Sequence, residues 1–149
     1  MAAVEQGEAL AASFFYVEIT GLSTVAVREI SGIGSENDVI VQHQVNQKGA
    51  AMYVKVPGKL SWQNIVLKKG IDTDMGLWTW RNTVITQGVD GQKKDGTIYV
   101  VDVQGNPKTT WKFVSAWPCS YVVGAMVPDT NEMLLEEVHL AHEGLERVS

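Results

Sequence analysis

The sequence has little cysteine and no excess of positive charge. Its single cysteine, Cys119, cannot form an internal disulfide, so the fold does not depend on an oxidising compartment. The formal charge of −5 argues against a nucleic-acid-binding protein, which usually carries a basic face that displaces counterions from phosphates. The basic doublets Lys68-Lys69 and Lys93-Lys94 are expected to be solvated strand ends or turns. We therefore predict no direct recognition of nucleic acid.

Long apolar runs are also missing. No segment approaches the roughly 20 apolar residues of a membrane helix. Near the N-terminus, Glu5 and Glu8 stand where a secretory signal would need lysine or arginine. These absences lead us to expect synthesis and assembly in the cytoplasm.

The composition suits one globular domain. A chain of 149 residues, 45% of them hydrophobic and 19% charged, is long enough to bury one core and too apolar to be disordered. Five tryptophans and fourteen glycines indicate a β-rich fold with many tight turns. We expect a single domain over residues 1–149, in which residues 1–13 form an N-terminal extension.

Catalytic and metal-binding patterns are weak. His139 and His142 stand three residues apart, a spacing that brings two imidazoles together on a helix but places them on opposite faces of a strand. The zinc-binding helix motif needs two histidines four residues apart around a glutamate, which this sequence lacks. The neighbours of Cys119 are not those of an activated thiolate. We expect no metal, no cofactor and no enzymatic activity.

Alternating apolar and polar residues predict a series of strands. Phe15, Val17 and Ile19 share one face of a strand over residues 14–19, and a tight turn leads into a returning strand over residues 25–30. Further strands are predicted at residues 97–103, 108–117 and 120–124. Three large aromatic side chains are expected on one face of the strand over residues 108–117: Trp111, Phe113 and Trp117.

Another pair of strands is predicted to project from the body. Apolar residues alternate over residues 39–45 and 52–56, and the connection between them is polar and flexible. Pro57-Gly58 should stop the later strand, because proline removes a ladder donor and glycine favours a turn. We expect residues 44–55 to form a projecting hairpin connection.

One amphipathic helix is predicted over residues 74–87, with Asp72, Thr73 or Asp74 as the cap and Gly88 as the stop. Its predicted inner face consists of residues at helical spacing, namely Leu77, Trp78, Arg81, Val84 and Ile85. Because one helix cannot bury this face alone, we expect Trp78 to lie against the β-structure.

Several short blocks resemble, in order and spacing, the inner-tube proteins of contractile phage tails and extracellular contractile injection systems. They are residues 15–19 (FYVEI), 29–33 (EISGI), 57–58 (PG), 64–70 (NIVLKKG), 77–80 (LWTW), 95–98 (DGTI), 116–118 (AWP) and 142–146 (HEGLE). Each block alone is weak, but together they make the resemblance specific over about residues 14–148.

The resemblance implies a mainly β fold, a small barrel or sandwich of antiparallel strands with one α-helix. It also implies a structural subunit that forms hexameric rings, which stack into a hollow tube inside a contractile sheath. The implied partners are other copies of the chain, sheath subunits, baseplate and spike proteins, a tube-terminating cap and effector cargo in the lumen. The particle itself would be released from the cell.

The C-terminal segment fits two structures. Leu134, Leu135, Val138, Ala141 and Leu145 would make a helix stripe, whereas Leu134, Glu136, Val138 and Leu140 alternate as in a strand. Propensity slightly favours a helix. The resemblance implies a strand, and we predict a strand.

Contacts between copies are expected at the projecting segment 44–55 and at residues 2–13, because both lack a core pattern. The candidate contact residues are Phe14, Gln44, Asn46, Gln47, Lys48 and Met52. The main alternative is a monomeric β-barrel that binds a small hydrophobic ligand between its tryptophan and tyrosine side chains. An enzyme on the same scaffold is a weaker alternative and would need a role for His142.

Overall fold

The computed structural model describes residues 14–128 and 134–149, so the predicted contact segment 2–13 lies outside the described residues. The elements in chain order are β1 (Phe14–Ile19), β2 (Val25–Val27), β3 (Glu29–Ser31), β4 (Ser35–Val45), β5 (Ala51–Trp62), β6 (Ile65–Gly70), α1 (Gly76–Gln87), β7 (Lys94–Val101), β8 (Pro107–Val123), β9 (Leu135–Ala141) and β10 (Gly144–Arg147). Over the described residues, the predicted mainly β fold with one helix is confirmed.

The body of the molecule is an antiparallel sheet whose first and last strands are neighbours in the chain. Its strand order is β2-β1-β7-β8-β9-β6-β3, with β10 added beside β8. The two ends of this path, β2 and β3, are separated in the chain only by Arg28. The Arg28 amide donates to the carbonyl oxygen of Lys68 at 2.7 Å. The sheet therefore closes into a barrel through the chain itself.

This closure corrects the prediction of one returning strand over residues 25–30. The chain changes partner at Arg28: Val25–Val27 pairs with β1, and Glu29–Ser31 pairs with β6. Val25 and Val27 are buried and Ile30 is half-buried, so the inward positions shift by one residue at Arg28-Glu29, where the strict alternation expected of a single strand is broken.

The interior is filled by apolar side chains from alternate positions of the strands. Side chains with at most 1% of their surface exposed include Val17, Ile65, Leu67, Ile98, Phe113, Val138 and Leu140. Glu136, Val138 and Leu140 occupy alternate, buried positions of β9, which confirms the predicted C-terminal strand. The apolar interior is a packed core.

β8 joins two predicted strands and bends at Ser115. This residue has a left-handed backbone with φ of 52°, and its amide donates to Asp95 Oδ1 at 2.9 Å. Phe113 is buried before the bend, whereas Ala116 and Pro118 are buried after it, so the inward positions shift by one residue. The prediction that Trp117 shares a face with Phe113 is therefore wrong.

The helix begins two residues later than predicted and ends as predicted. Asp74 Oδ1 accepts from the amide of Gly76, and Gly88 follows the helix with φ of 84°. The buried helical tryptophan is Trp80, whose Nε1 donates to the carbonyl oxygen of Gln92 at 2.8 Å. Trp78, predicted to lie against the β-structure, contacts the Tyr121 ring of β8 edge to face but is 41% exposed. No helix in the described ranges is long and apolar enough to cross a membrane.

Candidate assembly site

β4 and β5 form a hairpin that is separate from the barrel. They pair only with each other among the described strands, from Val45 opposite Ala51 to Ser35 opposite Trp62. Both outer edges of the hairpin are therefore unpaired within the described chain. Unpaired edges are the parts of a sheet that recruit another strand.

β5 runs past Pro57-Gly58, so the prediction that this pair ends the strand is wrong. Proline is tolerated because β5 has a neighbour on one side only. The register shifts opposite this point, between Asn37 and Val39. A Cβ at Gly58 would stand 3.0 Å from the carbonyl oxygen of Asp38, so glycine allows the strands to approach at this bulge.

The tip of the hairpin is a turn organised by Asn46. Its Oδ1 accepts from the amides of Lys48 and Ala50, both at 2.9 Å. Gly49 supplies the left-handed backbone at φ of 79° that the turn requires. Asn46 Oδ1 therefore stabilises the turn, and the contact role that we predicted for Asn46 stays a prediction.

The base of the hairpin is attached to the barrel through His142. Its Nε2 lies 2.9 Å from the carbonyl oxygen of Gln63, and its Nδ1 lies 3.2 Å from that of Gly144. The imidazole also contacts the Trp62 ring, with centroids 5.8 Å apart. These contacts fix the hairpin at its root and leave the rest of it away from the barrel.

Both faces of the hairpin expose apolar side chains. We call one the odd face, formed by Val39, Val41, His43 and Val45 with their partners Pro57, Lys55, Tyr53 and Ala51. The other is the even face, formed by Ile40, Gln42 and Gln44 with their partners Val56, Val54 and Met52. Val45 is 72% exposed and Tyr53 69% on the odd face, and Ile40 is 48% exposed and Met52 43% on the even face.

The charge of the hairpin differs from that of the rest of the chain. Residues 39–62 contain three lysines, Lys48, Lys55 and Lys59, and no carboxylate. All three are exposed, and none forms an ion pair with another described residue. Glu36 and Asp38 lie at the start of β4, so the whole hairpin, residues 35–62, has a formal charge of +1, and the rest of the chain, with a total of −5, carries −6.

The structure brings most of the predicted contact residues together. Gln44 and Met52 are cross-strand partners on the even face, and Asn46, Gln47 and Lys48 lie in the adjoining turn. Phe14 does not join them: it is 48% exposed on β1, opposite Val101 in the barrel.

A buried polar cluster escaped the sequence analysis. Lys69 is only 4% exposed, contrary to our expectation of a solvated doublet, and its Nζ lies 3.1 Å from Glu136 Oε1. Tyr121 donates its hydroxyl to Glu136 Oε2. The sequence did carry a signal for the burial of Lys69, because Lys69 alternates with Ile65 and Leu67 on the buried face of β6.

The polar cluster shifts the ionisation of its members. Burial, the hydrogen bond to Glu136 and the charge of Glu136 raise the pKa of Tyr121 to about 12. Burial alone would lower the pKa of Lys69, but hydrogen bonds and charges from Glu136 and Asp72 raise it. The cluster therefore holds Tyr121 neutral and Lys69 charged, which suits a structural tie between β6, β8 and β9.

Evidence for a ligand pocket or a metal centre is poor in the described residues. A cleft of about 490 Å³ beside Glu18, Asp95 and Lys112 contains no tryptophan, and two smaller clefts, of about 360 and 320 Å³, have one tryptophan each. His139 lies 3.7 Å from Glu137, whereas His142 contacts Gln63, so the two histidines serve different neighbours. No group of three potential metal ligands occurs in residues 14–128 and 134–149.

Comparison with known proteins gives the family. The model of the T4-like virus tail tube protein gp19 matches residues 11–146. A solved chain from the PVC sheath/tube terminator of an extracellular contractile injection system is similar, with 25% identity, a TM-score of 0.80 and coverage of 99% of this chain and 100% of that chain. A chain from the PVC sheath-tube complex gives 24% identity, a TM-score of 0.78 and coverage of 98% and 94%.

Hcp1 from Flavobacterium johnsoniae has a similar fold, with 13% identity, a TM-score of 0.60 and coverage of 91% of this chain and 94% of that chain. No curated protein sequence matches significantly. The gp19 family model nevertheless spans nearly the whole chain. The chain belongs to the T4-like virus tail tube protein gp19 family.

Proposed function

We propose that copies of this tail tube protein form hexameric rings, which stack head to tail into a hollow tube that sheath contraction drives through a target envelope. The observation that carries this proposal is the hairpin, which has two exposed apolar faces and two edges that no other strand in residues 14–128 and 134–149 pairs with. Pairing with identical neighbours satisfies such edges, and head-to-tail contacts can close rings or continue along an axis.

The proposed partners follow from the assemblies that contain the similar chains. These are a sheath-tube complex, a sheath/tube terminator and the cap and baseplate of the anti-feeding prophage. We extend them to sheath subunits, baseplate and spike proteins and a terminating cap for this chain. Effector cargo would travel in the lumen. Assembly would take place in the cytoplasm, and the particle would then leave the cell.

A purely structural role accounts for the polar residues without any reaction. Lys69, Glu136 and Tyr121 satisfy one another inside the barrel, and His142 anchors the hairpin. We therefore propose that the chain is not an enzyme.

Sedimentation velocity of the purified chain, followed by negative-stain electron microscopy, tests the assembly. We expect ring-sized species at low concentration and hollow cylinders at high concentration. The rival function, a barrel that binds a small hydrophobic ligand, requires a monomer at every concentration. A persistent monomer that binds an apolar dye stoichiometrically would favour that rival and contradict the tube.

A further inference from the structure

The sequence contains two Asp-Gly pairs, Asp90-Gly91 and Asp95-Gly96, and the structure gives them very different surroundings. In an Asp-Gly pair the glycine amide nitrogen can attack the aspartate carboxyl group, because glycine has no side chain to hinder the approach. We propose that Asp90-Gly91 is a modification site at which the chain forms isoaspartate without an enzyme, whereas the barrel protects Asp95-Gly96 from the same reaction.

The reaction has two steps and needs no oxidant or reductant. First, the Gly91 nitrogen forms a bond to Asp90 Cγ, and the side-chain hydroxyl group leaves with the amide proton as water, which closes a five-membered succinimide ring. Second, water adds to the backbone carbonyl carbon of Asp90 and breaks the bond from that carbon to the Gly91 nitrogen. The chain then runs through Asp90 Cβ and Cγ, which adds one backbone atom, and the former backbone carbonyl becomes a carboxylate.

The turn after α1 leaves Asp90 and Gly91 open to this reaction. The Gln92 amide donates to the carbonyl oxygen of Val89 at 2.9 Å, so Asp90 and Gly91 are the two central residues of a tight turn. Both are exposed, and a Cβ at Gly91 would meet no atom within 4 Å outside its chain neighbours. No hydrogen bond or ion pair to another described residue holds the Asp90 carboxylate. The carboxyl group can therefore turn toward the Gly91 nitrogen.

The second pair is held in place by the barrel. Asp95 Oδ1 accepts from the Ser115 amide at 2.9 Å, and the Asp95 carbonyl oxygen accepts from the Thr20 amide at 3.0 Å. Gly96 lies in β7 between β1 and β8, and a Cβ there would stand 2.3 Å from Phe113 Cζ. The Gly96 nitrogen can reach the carboxyl group only if β7 opens locally. Because a core strand opens rarely, the reaction at Asp95 should be slow in the folded chain.

Isomerisation at Asp90 would also reach the barrel through Trp80. Trp80 Nε1 donates to the carbonyl oxygen of Gln92 at 2.8 Å, and the turn that contains Asp90 positions this carbonyl group. One extra backbone atom lengthens the path between Val89 and Gln92, so we expect the hydrogen bond between these two residues to weaken. The modification therefore connects an exposed turn with a buried side chain.

Ageing of the purified full-length chain tests the site. The folded chain is held at mildly acidic pH, and isoaspartate is measured by peptide mapping and by methylation with an isoaspartate-specific carboxyl methyltransferase. We expect isoaspartate to form at residue 90 at least about tenfold faster than at residue 95, because β7 must open before residue 95 can react. The chain unfolded in urea is the control, in which both pairs should react at similar rates.

Matched variants identify the reacting residue. Asp90→Asn should lose ammonia through the same five-membered ring and gain mass as its amide becomes a carboxylate, whereas Asp95→Asn should keep its mass in the folded chain. Asp90→Glu keeps the charge but would need a six-membered ring, so it should abolish the isoaspartate signal. Equal rates at residues 90 and 95 in the folded chain would overturn the protection by the barrel. A folded chain that forms no isoaspartate at residue 90, while the unfolded chain does, would overturn the site itself.

Discussion

The barrel buries its apolar side chains, whereas the hairpin exposes them. In the barrel, Phe113 is 1% exposed, and the sheet path closes on itself. In the hairpin, Val45 is 72% exposed, and neither outer strand edge pairs with another strand of the described residues. We therefore expect the barrel to be stable as a single chain and the hairpin to be covered by other chains. Residues that determine folding and residues that determine assembly should be separable by mutation.

The largest expected effect on folding comes from the barrel core. Phe113→Ala should lower the free energy of unfolding by about 3–5 kcal/mol, because it leaves a cavity among buried side chains. Urea unfolding of the dissociated chain measures this. Tyr53→Ala on the hairpin is the matched control and should change stability by less than about 0.5 kcal/mol. Similar losses in the two variants would contradict the separation of barrel and hairpin.

The buried ion pair should matter nearly as much. Lys69→Met leaves Glu136 buried without its cation and should cost about 3 kcal/mol or more. Lys93→Met is the control, because its pair with Glu143 is just as short, at 2.8 Å, but exposed to water. That variant should lose at most about 1 kcal/mol. Thermal unfolding measures both variants. Equal decreases in the two midpoint temperatures would contradict the difference that we predict between the buried and the exposed ion pair.

A smaller loss is expected at Gly96, where β7 passes the core aromatic ring. A Cβ there would stand 2.3 Å from Phe113 Cζ, so Gly96→Ala should destabilise the barrel by about 1–3 kcal/mol. Gly124→Ala is the control, since its nearest neighbour would be the carbonyl oxygen of Leu135 at 3.7 Å. Denaturant midpoints that move equally for both alanines would show that Gly96 is not tightly packed.

The smallest effect concerns alkaline pH. Burial and Glu136 raise the pKa of Tyr121 from 10.0 to about 12, so the folded chain holds this proton more tightly than the unfolded chain. The resulting stability is complete below pH 10 and is lost as pH rises toward 12. The raised pKa of Lys69 acts in the same direction.

Tyr121→Phe removes one of the two groups whose pKa is raised by folding. The free energy of unfolding of this variant should therefore fall less steeply with rising pH than that of the unchanged chain. Urea midpoints collected across the alkaline range measure the slope. An unchanged slope would mean that Tyr121 does not couple folding to pH.

Local alternation was enough to predict much of the barrel. Phe15, Val17 and Ile19 lie on β1 as predicted. Glu136, Val138 and Leu140 alternate on β9 as predicted, although the resemblance, and not the alternation, decided between a strand and a helix there. The polar connection at residues 46–50 does form the turn between β4 and β5. In each case a short segment carries its own pattern.

The errors arise where distant residues decide the structure. Arg28 marks a change of pairing partner that depends on β1 and β6 together. Ser115 shifts the inward face of β8 through a backbone conformation that serine rarely adopts. Trp80 is buried instead of Trp78, and its indole N–H donates to the carbonyl oxygen of Gln92, a residue beyond the helix that a local pattern does not include. Lys69 could have been recognised, since its strand position follows two buried apolar residues.

Cryo-electron microscopy of the assembled chain at side-chain resolution tests the central claim most directly. The claim is that the β4–β5 hairpin is the part of the chain that joins copies into a tube. We predict a hollow cylinder in which other copies cover the odd and even faces of every hairpin. A cylinder whose hairpins stand free in solvent, or a chain that forms no cylinder at all, would contradict it.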